Sequence, residues 1–387
     1  MGIKELEKEY VAGTYGRYDL ELVKGKGEFA YDSDGREYID LSSGIGVNAF
    51  GFCDDVWQKA VSEQAKLLQH SSNLFYTAPM ARLAEALCKR TGFKKVFFSN
   101  SGAEANECAI KAARKYSFDK YGKDRFNIVS LVNSFHGRTM ATVTATGQEV
   151  FHKYFSPFLP GFKYVPAGDT EALREVIESG DVCAVMIECV QGEGGVLPLR
   201  EDYVRTIAEI CEQNDVLLIA DEVQTGNGRT GKLYAYEHFG IQPDIVTTAK
   251  GLGGGLPIGA TLFSEKTQYV LGKGDHGSTF GGNPVSCAGA LSVLERLDEG
   301  FLRSVIEKGE YIKKELSSYP GVKKVTGLGL MLGVECSKPA SQAAQECIEK
   351  GVIVLTAKDK IRLLPPLNIS YESLEKALNI IKEVLSE

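Results

Sequence analysis

Short apolar segments alternate with amphipathic helical segments through most of residues 50–265, and this alternation constrains the fold more than any other feature. The apolar segments are rich in Val, Ile and Phe: KKVFFS, FNIVSLV, CAVMIEC, DVLLIAD, PDIVTTA and GATLFSE. Between two of them, EDYVRTIAEICEQND places Val204, Ile207 and Cys211 on one helical face. Strands that alternate with such helices predict a mainly parallel sheet covered by helices on both faces.

The two ends of the chain have a different pattern. A chain of 387 residues is longer than one domain usually is, so two domains are expected. After about residue 285, a long helical segment leads to VKKVTGLGLMLGVEC and a final helix, YESLEKALNIIKEVLSE. We therefore predict a large α/β domain over 46–284 and a small α+β domain over 285–387. Residues 1–45, with the hairpin-like FAYDSDGREYIDL, are expected to join the small domain.

Charge and composition exclude several classes of function. The net charge is -7, and acidic and basic residues are mixed along the chain, so nucleic-acid binding has no electrostatic support. The apolar runs are too short to cross a bilayer, and the charged start MGIKELEKEY is unlike a signal peptide. Nine scattered cysteines suggest reduced thiols, and the five histidines lack metal-ligand spacing. We expect a cytoplasmic protein with no metal, nucleic-acid or membrane partner.

Two charged residues stand at the ends of neighbouring predicted strands. Lys250 closes PDIVTTAK and is followed by GLGGG, and Asp221 follows VLLIA, 29 positions earlier. In an open parallel sheet, ligands bind beyond the carboxyl ends of the strands, so both side chains are expected to face one pocket. The alternatives are a lysine that merely reaches solvent and a carboxylate held by an arginine or a turn.

A third strand end predicts an anion site. KKVFF is followed by SNSGAEANE, in which Ser101 and Glu104 have the spacing of a capping box. The first turn of the helix leaves backbone N–H groups free at the positive end of its dipole, where one phosphate can bind. An ordinary capped helix is the alternative.

Aromatic and charged residues follow the remaining strands. FHGRT offers Phe135 and Arg138, and QGEGG offers Glu193 among glycines. Taken singly, Phe135 is more typical of a core aromatic, and the two charges are more typical of solvated side chains. His136 could act as a base, but a histidine beside a glycine turn is usually structural. Together, an amine, a buried carboxylate, a flat aromatic ring and a phosphate cradle match the requirements of pyridoxal phosphate.

Five motifs occur in a characteristic order: SGAEANE, FHGRT, DEVQTGNGRTG, FGIQPDIVTTAKGLGGGLPIGA and GSTFGGNP. With them, nearly the whole chain resembles the class III, or ω-amino, aminotransferases. The resemblance implies fold type I of the pyridoxal phosphate enzymes, with a mainly parallel seven-stranded sheet flanked by helices and a smaller α+β domain. NLFYT and IRLLPPLNIS are most similar to the members that act on N-acetylornithine in arginine biosynthesis. Cys189, Val190 and Asn227 depart from the family pattern, so the fine shape of the pocket stays open.

The resemblance also implies roles for the cofactor site. Lys250 would be the Schiff-base lysine and move the proton, and Asp221 would keep the pyridine nitrogen protonated. Phe135 would stack on the ring, with Val223 on its other face and Gln224 near the ring hydroxyl. Thr279 would reach the phosphate from a second subunit, which implies a homodimer with shared active sites. The full predicted set is Ser101, Gly102, Ala103, Phe135, Asp221, Glu222, Val223, Gln224, Lys250 and Thr279.

For the substrates, the resemblance implies two carboxylate sites. Arg138 would bind the carboxylate far from the reacting carbon, in N-acetylornithine or in glutamate. Arg362 would bind the α-carboxylate of glutamate, with Glu193 neutralising it when a terminal amine occupies the site. Ser278 and the loop 42–48 would add contacts. The amino group would pass to 2-oxoglutarate in ping-pong fashion.

Two kinds of alternative remain. Ornithine, succinylornithine or 4-aminobutyrate could be the donor, succinyl-diaminopimelate could be a side substrate, or the enzyme could be an aminomutase. A non-enzymatic binding protein is the other class, but such a protein would not need both Lys250 and Asp221.

Overall fold

A seven-stranded sheet forms the centre of the protein, seen in a computed structural model that describes residues 2–386. In chain order, the strands are β1 (Leu22–Lys26), β2 (Phe29–Asp32), β3 (Glu37–Asp40), β4 (Lys95–Ser99), β5 (Asn127–Leu131), β6 (Phe162–Val165), β7 (Val182–Ile187), β8 (Val190–Gln191), β9 (Leu197–Pro198), β10 (Leu217–Asp221), β11 (Ile245–Thr248), β12 (Gly259–Phe263), β13 (Val322–Leu328), β14 (Met331–Cys336), β15 (Val352–Ile353), β16 (Leu355–Ala357) and β17 (Lys360–Leu363).

Helices cover this sheet and build the rest of the protein. They are α1 (Ile3–Tyr10), the short turn α2 (Ser43–Gly46), α3 (Asp55–Leu67), α4 (Ala78–Thr91), α5 (Gly102–Tyr121), α6 (Met140–Ala145), α7 (Thr170–Glu178), α8 (Glu201–Gln213), α9 (Pro284–Leu294), α10 (Glu299–Ser317), α11 (Ala340–Glu349) and α12 (Tyr371–Ser386). Within residues 2–386, no helix combines the length and apolar character required to cross a bilayer.

The central sheet has the order β4-β12-β11-β10-β7-β5-β6. The pairs β11-β10, β10-β7, β7-β5 and β5-β6 are parallel, whereas β12 is antiparallel to both of its neighbours. The mainly parallel seven-stranded sheet is therefore confirmed. The exception has a simple cause: only the ten residues 249–258 join β11 to β12, too few for the crossover that a parallel pair requires.

Burial explains why these segments form strands and helices. All six residues of β7 are buried, as expected for a strand covered on both faces. In α8, the predicted face of Val204, Ile207 and Cys211 is buried against the sheet. Helix α5 packs with small residues, among them Ala105 and Ala109, which lets its backbone approach β11 and β12 closely.

Three smaller sheets lie outside the central one, and the smallest is the antiparallel pair β8-β9. An antiparallel sheet has the order β13-β14-β17-β16 and contacts α10 and α11. A second sheet, β1-β2-β3-β15, is formed mostly by the N-terminal segment, and its last pair is parallel, with Ile39 opposite Val352. This pairing attaches residues 37–40 to the C-terminal part of the chain. The domain boundaries after residues 45 and 284 stay a prediction.

The turn α2 is left-handed. Ser43, Gly44, Ile45 and Gly46 have φ values of 47°, 61°, 66° and 74°. Such angles are costly for a β-branched residue, so the turn requires support from its surroundings. The buried Asp40 provides it, since its carboxylate accepts hydrogen bonds from the Ser42 backbone N–H and hydroxyl at 2.7 and 2.6 Å. The loop 42–48 then continues to Val47 at the edge of the cavity described below.

The nine cysteines are all free thiols. Seven are buried, Cys88 is partly buried, and Cys53 alone is exposed. Burial raises the pKa of Cys108, Cys183 and Cys287 to about 12, which disfavours the reactive thiolate.

Candidate active site

A cavity of about 410 Å³ opens at the carboxyl ends of the central strands, where the sequence predicted a site. Two larger hollows, of about 790 and 670 Å³, are lined by neither Lys250 nor Asp221. The predicted residues that line the 410 Å³ cavity are Ser101, Gly102, Ala103, Phe135, Arg138, Asp221, Val223, Gln224 and Lys250. Residues from four separate stretches of the chain are thus brought together.

Lys250 lies two residues after the end of β11, in a short 3₁₀ turn with φ 43°. Its side chain faces the cavity and is partly buried. Burial lowers the pKa of the ammonium group, although the carboxylates of Asp221 and Glu193 act in the opposite direction. A lowered pKa increases the fraction of neutral amine, the form required of a nucleophile or a base.

Asp221 is 3% exposed and makes three polar contacts. Oδ2 accepts a hydrogen bond from Asn106 Nδ2 at 2.8 Å and lies 2.8 Å from His136 Nδ1, while Oδ1 accepts from the Val223 N–H at 3.0 Å. The carboxylate is therefore held in one orientation. The sequence predicted a partner for it but named neither Asn106 nor His136. The only sequence signal for Asn106 was the presence of a polar amide within the motif SGAEANE.

A second buried acid, Glu188, supports the aromatic side of the cavity. Its carboxylate accepts from the backbone N–H of Phe135 at 2.8 Å and of Gly192 at 3.3 Å. Burial raises the pKa of Glu188 to about 7, and the charge of Asp221 acts in the same direction, while His136 opposes it. Sequence reasoning missed Glu188, although an acid directly after the apolar run AVMI was a visible signal.

The N-terminus of α5 faces the cavity. Ser101 is its N-cap, with Oγ accepting from the Glu104 N–H at 3.2 Å. The Glu104 carboxylate accepts from the Asn100 N–H at 2.7 Å and not from the Ser101 N–H, so only half of the predicted capping box forms. A Cβ added to Gly102 would lie 2.5 Å from Val223 Cγ1, so glycine is required for this close approach. The first N–H groups of a helix have no intrahelical acceptor, and here they can receive an anion.

Arg138 is exposed and lies against two aromatic rings. Its Cζ is 4.6 Å from the ring centroid of Phe151 and 5.8 Å from that of Phe135. The two rings meet edge to face, with centroids 5.4 Å apart. In the described part of the chain, no carboxylate forms an ion pair with Arg138. The guanidinium is thus oriented by aromatic contacts and free to bind an anion. Phe151 was not predicted from the sequence.

Arg362, on β17, has a contrasting environment. It is 4% exposed, and Nη1 donates to Glu193 Oε1 at 2.5 Å and to Gln224 Oε1 at 3.3 Å. Burial acts to raise the pKa of Glu193, but the Arg362 guanidinium outweighs it and keeps that pKa below its ordinary value. Arg362 Nε is buried without a hydrogen-bond partner. The predicted pairing of these two residues is present in the geometry.

Five predicted residues are not part of the cavity lining: the pair Arg362 and Glu193, and also Glu222, Ser278 and Thr279. Successive residues of an extended strand point to opposite sides, so Glu222 faces away from the side that Asp221 faces. Its carboxylate accepts instead from the N–H groups of Ala235 and Tyr236, at 2.9 and 2.8 Å, which does not support cofactor binding. Thr279 is exposed, and Ser278 Oγ accepts from Asn100 Nδ2 at 3.2 Å beside the cavity.

Asn227 and Gln224 refine the shape of the pocket. Asn227 Nδ2 donates to Thr248 Oγ1 at 2.9 Å and to the carbonyl of Ala249 at 3.1 Å, which supports the backbone just before Lys250. Gln224 lines the cavity, but its amide nitrogen donates to Glu193 at 3.3 Å. Gln224 therefore also connects the predicted cofactor site to the Arg362–Glu193 pair.

These residues fit pyridoxal phosphate. Lys250 supplies an amine, Asp221 an oriented carboxylate and the start of α5 an anion site, while Phe135 and Val223 provide apolar surfaces for a flat ring. In residues 2–386, no group of three His, Cys, Asp or Glu side chains could hold a metal ion.

Comparisons with known proteins agree with this chemistry. Residues 10–385 match the family model described as aminotransferase class-III. A relative from Haemophilus ducreyi named acetylornithine aminotransferase is 53% identical, with 100% of this chain and 98% of the relative covered. The solved ornithine aminotransferase of Toxoplasma gondii has a TM-score of 0.95 and 31% identity, covering 99% of this chain and 94% of that one. The N-acetylornithine aminotransferase of Stenotrophomonas maltophilia has a TM-score of 0.86 and 35% identity, covering 99% and 98%.

Proposed function

Because the chain belongs to the class III aminotransferases, which are pyridoxal phosphate-dependent transaminases, we propose that it transfers the terminal amino group of N-acetylornithine to 2-oxoglutarate. The observation that carries the proposal is the contrast between two arginines at and beside the cavity. Arg138 lines the cavity and has no ion-pair partner in residues 2–386, whereas Arg362 is paired with Glu193 and contacts the lining residue Gln224. A donor with a terminal amine and a distant carboxylate requires Arg138 alone, whereas glutamate, with two carboxylates, requires both Arg138 and Arg362.

Ornithine is the second candidate donor. The ornithine aminotransferase of Toxoplasma gondii has the higher TM-score of the two solved structures, 0.95 against 0.86. Backbone similarity is a weak guide to substrate, because related folds carry different reactions. The 53% identity to a full-length relative named acetylornithine aminotransferase is stronger support, because it reflects side chains as well. We therefore favour N-acetylornithine.

When bound, pyridoxal phosphate accepts the amino group and withdraws electrons from the substrate carbon. We propose that Lys250 Nζ holds and moves the proton, a role that its lowered pKa favours. Asp221, oriented by Asn106 and His136, places a negative charge at the pyridine nitrogen. The N–H groups at the start of α5 hold the phosphate, and Phe135 and Val223 confine the ring.

The substrates are oriented by the two arginines. Arg138 binds the carboxylate far from the reacting carbon in both donors, as a planar fork that a lysine could not reproduce. Glu193 neutralises Arg362 while the terminal amine of N-acetylornithine occupies the site. When glutamate or 2-oxoglutarate enters, Arg362 exchanges Glu193 for the α-carboxylate, and Ser278 and the loop 42–48 complete the enclosure.

We also propose a homodimer in the cytoplasm. Leu74, Phe75 and Tyr76 are 88%, 67% and 104% exposed, an unusual group for a surface in contact with water. The loop is nevertheless anchored, because Asn73 Nδ2 donates to the carbonyls of Ser278 and Gly281 at 3.0 and 2.9 Å. A second copy that covers this surface would bring its Thr279 to the phosphate. Light scattering should give twice the mass of the chain, and a monomer at working concentration would refute the shared site.

A substrate panel tests the reaction. With 2-oxoglutarate as acceptor, initial rates on N-acetylornithine should exceed those on ornithine, succinylornithine and 4-aminobutyrate. A strong preference for 4-aminobutyrate would overturn the proposed donor. The protein should absorb visible light, and borohydride should fix the cofactor on Lys250. Lys250→Ala should retain the cofactor noncovalently and lose at least about 10²-fold in turnover, the lower range for an acid–base group.

A further inference from the structure

Asn133 joins three segments that are distant in sequence. It follows β5 in a left-handed conformation, φ 75°, and its backbone N–H donates to the carbonyl of Gly147 at 2.7 Å. Its side-chain Nδ2 donates to the carbonyl of Gly194 at 2.8 Å. Its Oδ1 accepts a hydrogen bond from Lys358 Nζ, in the turn between β16 and β17. One amide therefore connects the large sheet, the glycine-rich loop and the small antiparallel sheet.

Asn133 Nδ2 also donates to Gln191 Oε1 at 3.5 Å, while the other two side-chain contacts lead to the Arg362–Glu193 pair. Gly194 directly follows Glu193, and Lys358 is four residues before Arg362 on the same hairpin. A Cβ added to Gly194 would lie 2.5 Å from Asn133 Nδ2, so the close approach requires a glycine there. The loop and the hairpin thus meet twice, once through the ion pair and once through Asn133.

Packing on the other side of the loop leaves little freedom. Gly333 on β14 is paired in register with Arg362, and a Cβ added to Gly333 would lie 2.9 Å from Val196 Cβ. Residues 192–196 are therefore enclosed between Asn133 and the small sheet. A shift in the Asn133 contacts would change the distance between Glu193 and Arg362.

We propose that Asn133 is a positioning residue that sets the register of Glu193 against Arg362 and so controls the half-reaction with N-acetylornithine, in which Glu193 neutralises Arg362. The inference rests on the proposed function, because that function assigns the intact Glu193–Arg362 pair to this half-reaction. This role requires both the donor and the acceptor of the Asn133 side-chain amide. Nδ2 donates to the loop that carries Glu193, and Oδ1 accepts from the hairpin that carries Arg362.

Asn133→Asp tests this role with little change in shape. Aspartate tolerates the left-handed backbone and can still accept from Lys358, but it cannot donate to the carbonyl of Gly194. We expect KM for N-acetylornithine to rise about tenfold, the equivalent of one hydrogen bond, because a displaced Glu193 neutralises Arg362 less well. The single-turnover half-reaction with glutamate should stay within about twofold, because Arg362 has exchanged Glu193 for the α-carboxylate there.

Lys358→Met removes the second contact from an exposed position and should shift KM for N-acetylornithine in the same direction. Lys324→Met, at an exposed lysine of the neighbouring β13, is the matched control and should leave both half-reactions unchanged. In a double-mutant cycle, Asn133→Asp should add nothing to Glu193→Gln in the N-acetylornithine half-reaction, because both changes act through one contact.

The outcomes separate this proposal from the function on which it rests. Equal losses in both half-reactions would show that Asn133 is only structural and would overturn the inference alone. An unaltered KM for N-acetylornithine in Asn133→Asp, with Glu193→Gln impaired, would also overturn it alone. If Glu193→Gln itself spares the N-acetylornithine half-reaction, the substrate roles in the proposed function fail together with the inference.

Discussion

Arg138 and Arg362, the two arginines to which we assign the substrate carboxylates, lie in opposite environments. Arg138 is exposed, lies over the ring of Phe151 and has no carboxylate partner in residues 2–386. Arg362 is buried and paired with Glu193. A free guanidinium can bind a carboxylate in every turnover, whereas a paired one becomes available only when its partner yields. The reacting carbon of glutamate carries a carboxylate, whereas that of N-acetylornithine does not. The difference between the two arginines suggests how one enzyme can accept both donors.

Removal of Arg138 should have the largest effect. Arg138→Ala loses two charge-assisted hydrogen bonds to the distant carboxylate, so kcat/KM should fall roughly a hundredfold or more for both N-acetylornithine and glutamate. Single-turnover rates with each donor measure the two losses. Arg174→Ala, at an exposed arginine of α7, is the control. A fall in kcat/KM for only one of the two donors would contradict a shared role of Arg138 in both half-reactions.

Removal of Arg362 should impair one half-reaction. Arg362→Ala should lower kcat/KM for glutamate about a hundredfold, because the α-carboxylate loses its fork, and should affect N-acetylornithine much less. The variant leaves Glu193 buried without a cation, which is destabilising. The double variant with Glu193→Gln removes that charge and should show the same donor selectivity. Similar losses for both donors would contradict the assignment.

Neutralising Glu193 should change the preference in the other direction. Glu193→Gln leaves Arg362 permanently free, so the half-reaction with N-acetylornithine should weaken about tenfold, equivalent to 1.4 kcal/mol. The affinity for 2-oxoglutarate should be unchanged or higher. The ratio of the two single-turnover KM values is the measurement, and a ratio equal to that of the wild type would show that Glu193 does not control access to Arg362.

The smallest expected effect concerns the aromatic support of Arg138. Phe151→Leu removes a cation–π contact of about 0.5–1 kcal/mol, so KM for N-acetylornithine should rise roughly two- to fivefold with little change in kcat. N-acetyl-1,4-diaminobutane lacks the carboxylate, and its KM should not respond. Phe155→Leu, at an exposed ring nearby, is the control variant. An equal response to both amines would assign Phe151 a structural role.

The sequence alone was enough to predict the central seven-stranded sheet and the two charged residues, Asp221 and Lys250, at the carboxyl ends of its strands. Alternating strands and helices have few arrangements, and the rule that ligands bind at strand ends points directly to Asp221 and Lys250. The reversed β12 was not predicted, although its short connection to β11 was visible in the sequence. Connection length was the missing consideration.

The partners of Asp221 could not be predicted in the same way. Asn106 and His136 are 115 and 85 positions away from it, and a polar side chain near a helix start or a glycine turn has many possible roles. Only tertiary packing shows that both face one carboxylate. Arg362 was assigned through a family resemblance, because no spacing relates it to Glu193, 169 positions earlier.

The single exposed cysteine gives the protein a natural attachment point for a reporter. Cys53 directly follows the bridge between Gly27 and Phe52, where the N-terminal hairpin meets the rest of the chain. The seven buried thiols are shielded, so a maleimide dye should modify Cys53 first in the native protein. A fluorophore there would follow the docking of the N-terminal segment in real time, without the removal of any other cysteine.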